Sequence, residues 1–372
     1  MENLSGNKGE WSEVYALFKL LGDGIVYAGD GNLNKIWSIF FPIIRIIRED
    51  NKKIFHYSYD KSLDEADANE DRNVVIQASD GKELLRVKSS VFLLEAEKLL
   101  HQIYDNNHSF VLKDTEQFMN MVYCYSIKAQ SQQKADIRIV LHDFRTHKQS
   151  EMGFSIKSKL GSRSTLLNAS NATNFTYEIT GVDLSEEEIQ AINSLNNKKT
   201  KVIDRYRAIR NKGGEFVFKE IEDKIFFGNL IMLDGNLPFI LSCMLLEQLE
   251  SGKSDLNSLA KILSEKNPLN FEMAETFPFY EYKIKHLLTA IALGMVPKKP
   301  WHGKYEANGG YLIVKEDGEI LCYHFYDRNR FEDYLFYNLQ LERSSTTRHQ
   351  YAEIVRKENK LLFKINLQIR FK

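Results

Sequence analysis

The chain has 372 residues, of which 43% are hydrophobic and 27% charged, with 20 glycines and 6 prolines. That excludes collagen-like, low-complexity and largely disordered proteins, and the length suits two domains or one core with a large elaboration. The 50 basic and 51 acidic residues leave a net charge of −1, which excludes a protein that simply coats nucleic acid but allows a local basic groove.

No apolar run approaches the ~20 residues of a membrane span. The longest, 36–47, is interrupted by Pro42 and Arg45. The first residues lack the basic start and apolar stretch of a signal peptide. Cys124, Cys243 and Cys322 are far apart and odd in number, which fits neither a disulfide framework nor a zinc knuckle. The expected setting is cytoplasmic, with no membrane partner.

In chain order, Val14, Leu17, Phe18 and Leu21 recur at helical spacing over 10–21, and Gly22 and Gly24 end that helix. Residues 35–48 and 54–59, rich in Ile, Phe and Tyr, read as paired strands around the turn Glu49-Asp50-Asn51, followed by an acidic solvated loop at 60–71. Strands at 74–77 and 84–87 flank Asp80-Gly81, a hairpin signal. Helices are predicted over 90–104 and, capped by Asp114, over 114–127. Two strands follow, 136–142 and 152–159, then a short helix at 162–170 and a strand at 174–179. Ser185, with Glu188 three residues on, opens a helix. Residues 198–212 form a basic helix, and 226–250, 256–264 and 280–293 a helical middle. After Pro297 and Pro300 the pattern changes to strands at 310–315, 320–326 and 361–371. The class is mixed α/β (α+β): a mixed sheet flanked by helices, then a helical and β elaboration. Two domains, 1–181 and 182–372, are expected, with the boundary after Gly181.

The stretch with chemical content is Asp136-Ile137-Arg138-Ile139-Val140-Leu141 followed by Gly153-Phe154-Ser155-Ile156-Lys157-Ser158-Lys159. Alternation puts Ser155, Lys157 and Lys159 on one face of the second strand, with Phe154 and Ile156 on the other. If the strands are neighbours, Asp136 and Lys157 meet near the sheet edge. A carboxylate that holds a hard divalent cation and a lysine that positions water suit phosphodiester hydrolysis. The competing reading is two ordinary half-buried strands with solvated polar residues. A well-held metal wants a second acid, and Glu10, Glu13 and Glu178 are the candidates. Glu10 and Glu13, in the first turn of a helix, also simply complement its dipole. The histidines, His142 and His147 among them, have no metal-ligand spacing, and the GxGxxG and GxxxxGK[ST] phosphate-loop frames are absent.

The segments Gly6-Asn7-Lys8-Gly9-Glu10-Trp11-Ser12-Glu13, Gly153 to Ser158, Ser164-Thr165-Leu166-Leu167-Asn168-Ala169-Ser170 and Thr173-Asn174-Phe175 together resemble the HpaII-type restriction endonucleases. So do Asp317-Gly318-Glu319-Ile320, Phe331-Glu332-Asp333-Tyr334-Leu335 and Asn366-Leu367-Gln368-Ile369-Arg370-Phe371, so the resemblance runs from residue 6 to 371. It implies a type II restriction endonuclease with a PD-(D/E)xK core that cuts double-stranded DNA with Mg²⁺ at CCGG or a related site, beside a cognate methyltransferase. Asp136 matches the metal-binding aspartate and Lys157 the motif lysine. Ser155 stands where Asp or Glu usually supplies the second ligand, and Ala135 where proline is frequent. Some nucleases of this fold draw the missing acid from an N-terminal helix, which favours Glu10 or Glu13. Two other readings stay open: a sequence-specific DNA-binding protein that has lost cleavage, and a nuclease without sequence preference.

For DNA contacts, Lys159 and Arg163 follow the candidate site, and 198–212 carries seven basic residues, Lys198 and Arg205 among them, against Asp204. Asn168, Ser170 and Asn174 are placed to reach base edges near the cut, and Arg348 lies in a hydroxyl- and arginine-rich loop. A palindromic target favours a two-fold homodimer.

Overall fold

The computed structural model describes residues 4–61, 71–128, 135–143, 148–305 and 309–372; most of the acidic stretch at 60–71, and His147, lie outside these. The chain forms two compact units, one from residues up to 164 with 309–334, the other from 165–305 with 335–372. It thus passes between units after 164, 305 and 334, where the sequence reading has one boundary after Gly181.

The first unit is built on a mixed nine-stranded sheet in the order Ile25–Gly29, Ile320–His324, Gly310–Val314, Lys148–Ser158, Ile137–Asp143, Lys35–Asp50, Lys53–Tyr59, Asn73–Ala78, Glu83–Lys88. The pairs of Gly310–Val314 with Lys148–Ser158 and of Ile320–His324 with Ile25–Gly29 are parallel, and the others antiparallel. Against it packs the helix Lys8–Asp23. Asn7 and Glu10 form a reciprocal capping box at its start, and Gly24, at φ 68°, closes its end in the left-handed region. Trp11, Val14, Phe18 and Leu21 are fully buried on it, each such side chain worth about 1.5–3 kcal/mol of burial. Phe92 of Ser89–Asp105 and Phe118 of Lys113–Met121 close on Phe18, at ring-centroid distances of 6.0 and 5.1 Å.

The second unit holds a four-stranded antiparallel sheet (Glu215–Ile221, Asn174–Thr180, Lys360–Asn366, Ile354–Lys357) and a three-stranded one (Thr165–Leu167, Ile369–Phe371, Leu339–Leu341). Its helices include Glu186–Ser194, Lys201–Asn211, Lys224–Leu233, Leu237–Ser251, Leu256–Lys266 and Phe279–Ala292.

The mixed α/β class holds, and several elements depart from the sequence reading. Residues 165–167 are a strand and Asn171–Thr173 a 3-10 turn where a helix over 162–170 is predicted; the Ser170 backbone N–H and C=O both bond the Thr173 hydroxyl, a local alternative to helix. The helix expected over 114–127 ends at Met121, because Tyr123 turns at φ 62° and the Tyr57 hydroxyl takes the Val122 carbonyl at 3.0 Å; Leu112, not Asp114, is the N-cap. The segment 226–250 is two helices bent by 107° at Asp234-Gly235-Asn236. Strand 361–371 is interrupted at Leu367 and Gln368, and strands Ile25–Gly29 and Glu215–Ile221 and the helix Arg328–Asn338 are additions. Among the described residues, no single helix is long and apolar enough to cross a membrane.

Candidate active site

The strands Ile137–Asp143 and Lys148–Ser158 are antiparallel neighbours, with Ile137 opposite Phe154. Asp136 enters at that junction. Its backbone N–H donates to the Phe154 carbonyl at 2.9 Å, and its Oδ2 accepts from the Ile156 N–H at 2.7 Å. The carboxylate is therefore tied to the strand that carries Lys157. On that strand Phe154 and Ile156 are buried in the core, while Ser155 and Lys157 share the opposite face, half-buried. Burial pushes the Lys157 ammonium below its ordinary pKa, against the opposing pull of Asp136 and Glu13. The structure ties Asp136 to the strand that carries Lys157, and the two interact through charge without an ion pair.

The helix Lys8–Asp23 brings up its acids differently. Ser12 Oγ lies 2.7 Å from Ser158 Oγ, which docks the helix start on the end of the lysine strand. Glu10 is engaged at both oxygens: Oε2 accepts from the Asn7 N–H at 2.8 Å and Oε1 pairs with Lys128 Nζ at 2.8 Å. The hydrogen bond from Lys128 is the main cause that holds the Glu10 carboxyl below the usual range. Glu13, one turn on, is half-buried and has its pKa pushed up to about 7, first by burial and then by the charge of Asp136, only partly offset by Lys128 and Arg48. Glu178 is in the second unit, paired with Lys219 at 2.7 Å and Lys360 at 3.3 Å. Ser155 brings no carboxylate and lies opposite Tyr311 of the parallel strand.

Asp136 and Glu13 are thus near enough in a partly buried site for the charge of Asp136 to raise the Glu13 pKa. Among the described residues, no group of three or more His, Cys, Asp or Glu could hold a metal by itself. An all-oxygen pair still fits a hard divalent cation that keeps several waters and takes substrate phosphate as further ligands.

Of the residues predicted to touch DNA, Arg163, Asn168, Lys198 and Arg348 are exposed and Lys159 is half-buried. Ser170 is half-buried, and Arg205 and Asn174 depart from the prediction. Arg205 is 2% exposed, and its guanidinium donates to the carbonyls of Ala352 at 2.7 Å, Leu195 at 3.1 Å and Asn193. Its donors are spent inside the unit and none is presented to a phosphate. Asn174 is buried, donates to the His349 carbonyl at 2.9 Å and accepts from Asn366, which also bonds the Ser170 carbonyl at 2.8 Å. Arg205→Ala is accordingly expected to cost about 3 kcal/mol of stability by orphaning these buried carbonyls, read as a lower urea midpoint, with little change in the salt dependence of DNA binding.

Sequence reasoning missed three residues around the centre: Lys128, Arg48 and Tyr311. Arg48 pairs with Asp50 at 3.1 Å and donates to the Ser126 carbonyl, which fixes the segment leading to Lys128. None of the three belongs to a local motif; each arrives from a distant part of the chain.

A half-buried lysine near two carboxylates on adjoining secondary elements is an arrangement that could assist phosphodiester hydrolysis with a divalent metal. The family profile of the HpaII restriction endonucleases matches residues 7–371, so the chain belongs to that family. It is 41% identical to the type II restriction enzyme HpaII of Haemophilus parainfluenzae over 372 residues, covering 100% of this chain and 99% of that one. The chain is a type II restriction endonuclease, a site-specific deoxyribonuclease, of a class that generally needs a divalent metal. No solved structure matches it.

Proposed function

We propose that this enzyme hydrolyses double-stranded DNA at CCGG or a related site with Mg²⁺ and leaves 5′-phosphates. The centre is of PD-(D/E)xK type, with Asp136 and Glu13 as the metal-holding acids, Lys157 as the motif lysine, and Ser155 in the place of the usual second acid. The observation that carries this reading is the Asp136 carboxylate, fixed at 2.7 Å to the strand of Lys157 and within electrostatic reach of Glu13.

When bound, the metal neutralises charge on the scissile phosphate and acidifies water. Lys157 orients the attacking water, and its ammonium stabilises the charge that develops on the phosphate oxygens. As the new P–O bond forms in line, the attacking water's proton passes to solvent, the bond from phosphorus to the 3′ oxygen breaks, and that oxygen takes up a proton from solvent. Asp136 and Glu13 would hold the metal and fix the geometry. Arg163, Asn168, Lys198 and Arg348 are exposed and are the candidate DNA contacts. CCGG specificity is supported by the likeness to HpaII across the whole chain. A palindromic site further favours action as a homodimer and protection of host DNA by a cognate methyltransferase.

The test is plasmid cleavage with Mg²⁺ and sequencing of the fragment ends. Discrete fragments with 5′-phosphates at CCGG are expected. Fragments at one other sequence would revise the specificity, and ends scattered without a common sequence would overturn it.

A further inference from the structure

Lys157 has an unusual support. Its ammonium is largely withdrawn from water, yet among the described residues it makes no hydrogen bond or ion pair. What it rests on is an aromatic face: Nζ stands over the Tyr311 ring, 5.0 Å from the centroid. Strand register explains this. Gly310–Val314 runs parallel to the lysine strand, with Tyr311 opposite Ser155 and Ile313 opposite Lys157, so Lys157 and Tyr311 are diagonal neighbours on one face.

The ring is itself locked. Tyr311 is 3% exposed and is held edge-to-face by Phe331 at 5.3 Å and Tyr334 at 6.5 Å, and Tyr334 stacks on Tyr323 at 4.2 Å. Burial, reinforced by Asp136, keeps its hydroxyl protonated far beyond neutral pH, so the ring stays neutral. A neutral ring face attracts a desolvated cation without competing with the carboxylates for it. The return of 309–334 to the first unit delivers this floor and the rings that brace it.

We propose that Tyr311 is a positioning residue for DNA cleavage: its ring face carries the Lys157 ammonium and holds it turned toward Asp136 and Glu13. The proposal rests on the assignment of Lys157 to the cleavage centre. Tyr311 touches no substrate; it acts through the lysine.

The experiment uses the full chain with Mg²⁺ and a plasmid bearing the target site, under single-turnover conditions, with DNA affinity measured separately without divalent metal. Tyr311→Phe keeps the ring and is expected to cleave within about threefold of the parent. Tyr311→Leu and Tyr311→Met remove the ring at similar volume and are expected to cleave roughly tenfold or more slowly at unchanged affinity. Replacing Tyr311 by phenylalanine with one, two or three ring fluorines weakens the ring face at nearly constant shape, so the rate should fall stepwise with fluorine count. A merely structural ring would give no such series. Flat rates across the fluorinated set, parent-like cleavage by the Leu or Met variant, or a loss shared equally by Phe and Leu would overturn the proposal. A Lys157→Ala control separates the two claims: if it cleaves normally the reading of the centre fails, whereas a dead Lys157→Ala beside a flat fluorine series defeats Tyr311 alone.

Discussion

Lys157→Ala is expected to slow cleavage by about a thousandfold or more while DNA affinity stays within a few-fold. The two effects separate because of where the charge sits. Lys157 is half-buried on the sheet, under the charge of Asp136 and Glu13. It is therefore not one of the surface cations whose neutralised phosphates set non-specific affinity and its salt dependence. What the substitution removes is a group poised for water in the transition state. Lys157→Arg should not restore the rate, since a guanidinium spreads its charge over a planar fork and cannot present one compact donor to the attacking water. Single-turnover cleavage and a gel-shift titration on the same preparation check both halves. Cleavage within tenfold of the parent would remove Lys157 from the centre.

How far this centre is legible in the residues depends on the range of the interaction concerned. The helix Lys8–Asp23 is written locally, in the Asn7–Glu10 capping box and the apolar spacing after it. The hairpin of Asn73–Ala78 and Glu83–Lys88 follows from Asp80-Gly81, and the Asp136–Lys157 pairing from alternation in two strands close in sequence. Tyr311 is different. Its place beside Ser155 depends on a parallel pairing with a strand some 150 residues away, and no turn chemistry or spacing encodes that register. Arg205 shows the matching limit of composition. A count of cations along Lys201–Asn211 marks a basic helix but not which cation faces inward, and Arg205 is the one that does. In 165–173 the Ser, Thr and Asn side chains are compatible with a helix cap or with a turn. The Ser170–Thr173 bonds, and the pairing of Thr165–Leu167 with Ile369–Phe371, decide for the turn and strand.

Glu10 and Glu13 are the case in which three positions decide the chemistry, and their variants should behave in opposite ways. Both are acids in the same helix start, but Glu10 has its oxygens committed to the Asn7 N–H and Lys128, and Glu13 is half-buried under the charge of Asp136. Glu13→Gln is expected to lower cleavage by roughly a hundredfold to a thousandfold and to raise the Mg²⁺ concentration needed for half-maximal rate. Glu10→Gln should stay within a few-fold and lose instead a few tenths to 1 kcal/mol of helix capping. Stability sharpens the contrast. The Glu13 pKa rises from 4.5 to about 7 on folding, so folding disfavours its charged form. The penalty is full above pH 7, shrinks as pH falls, and vanishes below about 4.5, where the group is protonated folded or unfolded. At pH 8 without metal, Glu13→Gln should therefore stabilise the protein by on the order of 1–3 kcal/mol, with the gain gone at pH 4.5. Urea titrations at the two pH values measure it. A side chain whose loss strengthens the fold and stops the reaction is held at a cost for the reaction's sake. A Glu13→Gln enzyme that cut normally, or was no more stable at pH 8 than the parent, would pass the second acid to Glu10 and make the Lys128 pair, rather than the Asp136 face, the place to look for the metal.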